Sequence, residues 1–326
     1  MNPSVTVIIL SYNQSEYLLD AVESVINQTT DDWELIVIDN GSTDGSQELL
    51  SKYKSNLKIR LIFHAENRNI TLNCNQGVNL ANGKYISFLF ADDYFLPDKF
   101  KKELECFSSL PDDYGFIHSP SYGYNVVTKK KTLLPCIPAS GYVLKDLLTR
   151  YEEGYINPIT PLIKKECFEK YKFYEEIFTE GESIFFRIAM KYKFFYMKEP
   201  TAVMREHGKN MRFAKKKNAI TFEYTMNKLA IHEDFPIQFI GYLRKLNARI
   251  FSSFAWQDIR LGTDAKWARL MYKKSIREDW RQIYRAKTII GWGMSWLPVK
   301  GRVIINKTID GILNRENIIY MDEYYK

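Results

Sequence analysis

Two stretches of the chain set carboxylates where an apolar run stops. In "KYISFLFADDYFLPD" (84–98), Ile86, Phe88 and Phe90 lie in a run that reads as a buried strand, and it ends in Asp92 and Asp93 before Pro97. Such a pair suits Mg2+ or Mn2+ held against a diphosphate. These ions prefer oxygen ligands, keep several waters and often take only one or two protein carboxylates. A solvated turn before Pro97 would use the same residues. In "VIDNGSTDGS" (37–46), Asp39 takes the last strand position, where it could accept hydrogen bonds from a base or a ribose. Asn40-Gly41, Ser42 and Asp44 are also what a plain turn and a capped helix require.

The elements that must position these acids alternate. "VTVIIL" (5–10), "WELIVID" (33–39), "KIRLIFH" (58–64) and "KYISFLF" (84–90) read as strands. Between them, Leu18, Ala21, Val22, Val25 and Ile26 follow helical spacing, Ser42 or Thr43 can cap a helix through "GSQELLSKYK", and "TLNCNQGVNLANG" reads as a helix closed by Gly83. This rhythm predicts an α/β fold with a mostly parallel sheet flanked by helices, in which ligands bind at the carboxyl ends of strands. Asp39, Asp92 and Asp93 share that address. Residues 116–161 mix Tyr, Gly, Pro and Lys, which predicts irregular structure and edge strands. "ESIFFRIAMKYKF" then reads as a helix and "FFYMKEP" as a strand, and everything after about Lys215 is helical.

At 326 residues, 45% hydrophobic and 26% charged, the chain has the composition of a folded globular protein. The amino terminus carries no signal-peptide pattern, and no apolar run approaches the roughly 20 residues of a membrane span. Four scattered cysteines without a CxxC pair fit free thiols in a reducing cytoplasm. The charge is lopsided: roughly −5 over residues 1–208 and roughly +12 over 209–326.

Taken in order, "VTVIILSYNQSEYLLDAVESVINQT", "WELIVIDNGSTDGS", "NRNITLNCNQGVNLANGKYISFLFADD" and "MREHGKN" resemble a family 2 glycosyltransferase of the GT-A fold, over roughly residues 3–215. The resemblance implies inverting transfer of a sugar from a nucleotide-sugar, usually a UDP-sugar, with Mn2+ or Mg2+ as cofactor. It implies that Ser11, Tyr12, Asn13 and Asn67 lie at the nucleotide and that Asp39 pairs with the base. By the same resemblance, Asp92 and His207 hold the metal, and Asp93 and Arg205 lie near the diphosphate. His207 also reads as an ordinary loop histidine.

Three positions depart from the family pattern. Phe90 replaces the first Asp of Asp-x-Asp, Cys74 stands where many relatives have Arg, and Gly181 falls at the position of the general base. A shift of one residue would let Glu180 or Glu182 serve, with Glu182 preferred because it opens a helix. A Glu at a helix start is also a favourable dipole partner.

The chain divides into a GT-A region, 1–215, and a basic helical region, 216–326, for acceptor, membrane-surface or oligomer contacts. "KTIIGWGMSWLPVKGRVIINK" has the aromatic and basic mixture of an interfacial segment, or of a core-packing helix pair with a charged outer face. Nucleic acid is excluded for want of a binding motif. The expected partners are a nucleotide-sugar and a saccharide or lipid-linked acceptor, in bacterial surface polysaccharide synthesis at the inner face of the plasma membrane. The rivals are a nucleotidyltransferase, although "SYNQSEY" lacks its glycine-rich loop, and a sugar-nucleotide-binding protein without a base. A dinucleotide oxidoreductase would need a GxGxxG after a strand.

Overall fold

The computed structural model describes residues 2–151, 153–208, 210, 215–261 and 264–312. The chain forms two compact units, Met1–His207 with His232–Asp234, and Gly208–Ile231 with Phe235–Lys326.

In the first unit, β1 (Val5–Ser11), α1 (Leu18–Ile26), β2 (Trp33–Asp39), α2 (Ser46–Leu50), β3 (Ile59–Phe63), α3 (Ile70–Leu80) and β4 (Tyr85–Phe90) alternate. There follow β5 (Tyr94–Phe95), α4 (Lys99–Ser109), β6 (Tyr114–His118), β7 (Ser121–Asn125), β8 (Lys131–Leu133), α5 (Leu144–Thr149), β9 (Leu162–Lys164), α6 (Lys165–Lys170), α7 (Ser183–Ile188), β10 (Lys193–Tyr196) and β11 (Ala202–Glu206). The main sheet has the order β10-β6-β9-β4-β1-β2-β3, and a smaller one the order β5-β11-β7-β8. Strand β9 runs antiparallel to both β4 and β6, so the main sheet is mixed.

Strand β1 is buried on both faces, as a β-branched run in the middle of a parallel sheet must be. On one face Val5, Val7 and Ile9 join Leu18, Ala21, Val22 and Val25 of α1 in the core. On the other, Ile8 packs so closely on α3 that a Cβ at Gly77 would lie 2.7 Å from its Cγ2. The parallel register pairs Leu10 with Phe90 of β4 and Ser11 with Asp39 of β2. The three strands therefore finish level, and side chains at the tips of β2 and β4 are two strand spacings, roughly 10 Å, apart.

Local readings fared unevenly. The predicted irregular middle holds β6, which lies inside the main sheet, not at an edge; its glycine and histidine conceal a strand that only long-range pairing defines. Ser42 and Thr43 do not cap α2. The helix starts at Ser46, whose N–H and hydroxyl both donate to Asp44 Oδ1 (3.1 and 2.6 Å), while the Ser42 hydroxyl serves Asp39. The helix expected from Glu182 onward stops at Ile188.

The second unit is helical: α8 (Lys215–Ala230), α9 (Ile240–Leu261), α10 (Ala265–Glu278), α11 (Ala286–Met294) and α12 (Val299–Ile312). Phe251, Ala255, Ile259, Ala268, Met271, Tyr272 and Met294 form its core. Asp264 caps α10 by accepting from Trp267 N–H at 3.0 Å. Among the described residues no helix is long and apolar enough to cross a membrane.

Gly41 shapes the turn after β2. Its φ is +80°, and a Cβ there would lie 2.6 Å from the Glu66 carbonyl carbon. Gly41→Ala should cost about 1–3 kcal/mol of stability through strain and backbone displacement. In urea unfolding the midpoint is expected to fall while the slope stays unchanged.

Candidate active site

The turn that Gly41 permits folds back on the end of β2. Asp39 is fully buried, and its carboxylate accepts from Ser42 N–H (2.9 Å), the Ser42 hydroxyl (2.5 Å) and Gln47 Nε2 (2.9 Å). A carboxylate offers about four acceptor positions, so three are occupied, two from the turn and one from α2. Asn13, with φ +51°, ties the end of β1 to this turn: its N–H donates to Ser42 Oγ and its Oδ1 accepts from Thr43 N–H, both at 2.9 Å. Beside Asp39, Asn40 Nδ2 donates to Asn67 Oδ1 (2.7 Å) and to the Arg68 carbonyl (2.9 Å). Ser11 is buried in this setting, and among the described residues its hydroxyl has no hydrogen-bond partner. Tyr12, the next residue, is exposed.

Past β4, the two adjacent acids take different environments. Asp92 stays partly exposed and its Oδ2 lies 3.0 Å from His207 Nε2. The imidazole stacks on Tyr17, with ring centroids 5.3 Å apart. Asp93 turns inward and is buried, accepting from the Arg205 N–H at 2.8 Å. Burial, and then the Asp92 charge, pushes the Asp93 carboxyl well above the usual carboxylate range, against the pull of the Arg205 amide and guanidinium. Arg205 also donates to the Asp92 carbonyl (3.1 Å) and to Asp20 Oδ2 (2.6 Å), with its guanidinium 4.6 Å from the centre of the Tyr94 ring. One arginine thus braces both acids.

The donor set can be tested against a divalent cation. Cation–oxygen bonds of about 2.1 Å put neighbouring ligands about 3 Å apart. Asp92 Oδ2 and His207 Nε2 already have that separation. Among the described residues no group of three His, Cys, Asp or Glu gathers, so a cation here would draw its other ligands from diphosphate and water. The residues fit Mn2+ or Mg2+ on those terms.

The segment 173–182 is stitched to α3. Ile70 N–H donates to the Phe178 carbonyl (2.7 Å), the Thr71 hydroxyl to the Ile177 carbonyl (2.7 Å) and Asn75 Nδ2 to the Phe173 carbonyl (3.0 Å). Glu180 is buried. One of its oxygens takes Arg187 and the other the Tyr174 N–H at 3.0 Å. Burial pushes this carboxyl up against the pull of Arg187. After Gly181, whose φ is +54°, Glu182 takes the position before α7 without a side-chain capping bond and accepts from the Tyr151 hydroxyl at 2.6 Å.

The family described as Glycosyl transferase family 2 matches residues 6–172, half of the chain. The chain belongs to glycosyl transferase family 2. Among curated relatives, a Bacillus subtilis protein called "Putative teichuronic acid biosynthesis glycosyltransferase" is 34% identical over 133 residues, 40% of this chain and 51% of its own. An uncharacterized glycosyltransferase of Methanocaldococcus jannaschii is 29% identical over 205 residues, 60% of this chain and 69% of its own. This chain thus spans about half the length of the Bacillus relative. Solved structures share the fold. S. aureus TarS 1-349 with UDP-GlcNAc has a TM-score of 0.57 at 13% identity, covering 86% of this chain and 92% of that one. A Pyrobaculum calidifontis mannosyltransferase with GDP-Man and Mn2+ has a TM-score of 0.58 at 15% identity, covering 97% and 89%. The first unit is therefore a GT-A-type sheet domain, and the helical region follows it.

Within the family frame, the structure gathers Ser11, Asn13, Asp39 and Asn67 around one turn, and Asp92, Asp93, Arg205 and His207 around the next strand end. Glu180 and Glu182 flank Gly181 at the start of α7. Sequence reasoning passed over Tyr17, Asp20 and Tyr94, which pack on or pair with Arg205 and His207. Their only sequence signal is position within "SYNQSEYLLD" and directly after the Asp pair. It also passed over Arg68, which donates to Asn73 Oδ1 (2.6 Å) and to Gln76.

Asp93 supplies a pH test. Its folded-state pKa lies above the unfolded value of about 3.9, so ionising it costs the folded state as pH rises from there through the folded pKa. Asp93→Asn keeps an acceptor for Arg205 N–H and cannot ionise. In urea unfolding with a chelator present, its stability relative to wild type should improve as pH rises from about 4 through the folded-state pKa. A pH-independent difference would contradict the assignment.

Proposed function

We propose that the chain transfers a sugar, with inversion, from a nucleotide-sugar to a hydroxyl acceptor. One observation carries this reading: the level ends of β4, β1 and β2 bring to one sheet edge the Asp92–His207 pair, Asp39, and the Ser11 hydroxyl, which has no partner among the described residues. A spacing of roughly 10 Å between strand tips suits a nucleoside diphosphate lying across β1. Asp39, Ser11, Tyr12, Asn13 and Asn67 would hold base and ribose. UDP is the first choice because TarS, of the same fold, binds UDP and UDP-GlcNAc.

Glu182 is the proposed general base. It is only half-buried at the mouth of α7, and among the described residues just one of its oxygens is engaged, by Tyr151. Glu180 is sealed and bound at both oxygens. Glu182 takes the proton of the acceptor hydroxyl, whose oxygen bonds to the anomeric carbon on the face opposite the diphosphate. The bond from that carbon to the phosphate oxygen breaks, and the nucleoside diphosphate leaves with the electron pair. A divalent cation on Asp92 and His207 would stabilise the charge on the leaving diphosphate. Arg205 keeps Asp92 aimed through its carbonyl.

The acceptor is proposed to be lipid-linked and met at an anionic membrane surface, in surface-polysaccharide assembly like that for which the Bacillus relative is named. In the second unit, Trp280, Tyr284, Ile289, Ile290, Trp296 and Leu297 are exposed, and Lys287 and Lys300 are exposed among them. Aromatic and aliphatic groups interleaved with lysine suit the interface of an anionic bilayer. The protein should pellet with anionic vesicles at low salt and not with neutral ones. Lys287→Glu/Lys300→Glu should weaken binding by about 1 kcal/mol per lost positive charge.

Transfer itself is tested by nucleoside diphosphate release from a panel of sugar nucleotides, with and without Mn2+. Glu182→Gln should lower kcat by about 10²–10⁴ at near wild-type stability. Glu180→Gln should mainly destabilise, by about 3–5 kcal/mol, because it strands a buried Arg187. Full turnover by Glu182→Gln would remove the base assignment. No release from any donor would favour a sugar-nucleotide-binding protein, the rival that Gly181 suggests.

A further inference from the structure

Cys74, Phe90 and Gly181, the three departures from the family pattern, meet in space. They line one cleft with Leu10, Ile70, Phe88, Pro158, Phe168 and Phe173, and with the start of α7. The cleft reaches the strand ends that carry the site: Leu10 is the neighbour of Ser11 in β1, on the opposite face, and Phe90 stands two residues before Asp92. Its back wall is rigid, since Phe88, Phe168 and Phe173 pack ring on ring with all three centroid separations at 5.6 Å. Its floor is apolar. Burial holds the Cys74 thiol protonated, well above the usual thiol range, so it acts as a small hydrophobe. The one carboxylate on the wall, Glu180, has both oxygens committed to Arg187 and Tyr174. Above it, a Cβ built on Gly181 would meet nothing within 4 Å, so this side stands open.

Among the lining side chains only Thr179 offers an uncommitted hydroxyl, so a sugar hydroxyl pushed against the aromatic wall would lose water for little return. An apolar group would lose nothing. The cavity is about 30 Å3, room for a water-sized or methyl-sized group and little more. A nucleotide-sugar anchored through its diphosphate at Asp92 presents its sugar as the next group inward. We propose that this cleft is a donor-sugar subsite that selects a methyl-bearing sugar, either the methyl of an N-acetyl group or C6 of a 6-deoxyhexose. The inference rests on the nucleotide-sugar reading and narrows it to a substrate class. Phe90 and Cys74 set the specificity, and neither carries out chemistry.

The test uses the full chain and three donors on one base: UDP-glucose, UDP-N-acetylglucosamine and UDP-6-deoxyglucose, with UDP alone as reference. Dissociation constants are measured with Mn2+ by calorimetry. A methyl in a fitted apolar pocket is worth about 10–200-fold. One of the two methyl-bearing donors should therefore bind at least about 10-fold tighter than UDP-glucose, and which one does so identifies the source of the methyl. Cys74→Ser puts a hydroxyl on the floor, and Ile184→Ala opens the wall beside Gly181. Each should shrink the preference towards unity and leave UDP affinity as it was. Because UDP binding reports the nucleotide site alone, a variant that binds UDP normally is folded. If UDP binds and all three donors bind alike, the subsite is overturned while the nucleotide reading stands. If neither UDP nor any donor binds, both fall. A preference that persists in both variants would also overturn the assignment of these residues.

Discussion

Parallel pairing forces neighbouring strands to run in step. Here the step is such that β4, β1 and β2 end level, Leu10 beside Phe90 and Ser11 beside Asp39. That register is held by burial more than by hydrogen bonding alone. Strand β1 has α1 on one face and α3 on the other, and a slip of one residue would turn Val5, Val7 and Ile9 out of their pocket. The loops at that edge inherit their geometry from it. The Gly41 turn can close on Asp39 because the tip of β1 is there to receive it. Likewise Arg205, arriving from β11, can reach Asp92 and Asp93 because β4 stops where it does.

Carboxylates of the same kind are sorted by what surrounds them. Asp39 is wrapped by a serine, a glutamine and a backbone amide, which leaves a single acceptor position for an outside donor. Asp92 faces an imidazole and stays in partial reach of solvent. Asp93, one residue later, is buried and held by a backbone amide, where its charge is disfavoured. Glu180 is locked to Arg187, and Glu182 stays half-buried at a helix start with one oxygen on Tyr151. Five environments sort into four roles: reading, coordination, bracing and proton transfer are assigned in the proposal by partners and not by residue type.

Much of this was legible in the chain. The apolar runs ending in Ser11, Asp39 and Phe90 marked the strands and their shared exit, because the sheet is parallel there and each strand is buried on both faces. The helical tail was equally plain from its periodicity. What stayed hidden depends on distant pairing. Strand β6 needs β9 and β10 to exist, and its sequence, Tyr-Gly-Phe-Ile-His, carries no clear alternation. Tyr17 and Asp20 look like ordinary helix-start residues until β11 swings Arg205 and His207 onto them. The three oddities at 74, 90 and 181 looked like independent losses along the sequence. In space they line one cleft, which no local reading could have joined.

The central claim is that a single nucleotide spans the edge from Asp39 to Asp92. Crystals grown with UDP and Mn2+, measured at a wavelength where manganese scatters anomalously, address it most directly. The account predicts a manganese peak bonded to Asp92 Oδ2 and His207 Nε2, with the pyrimidine ring against Asp39 and the ribose by Ser11. A nucleotide seated away from the tip of β1, or manganese ligated elsewhere while Asp92 and His207 keep each other, would contradict it.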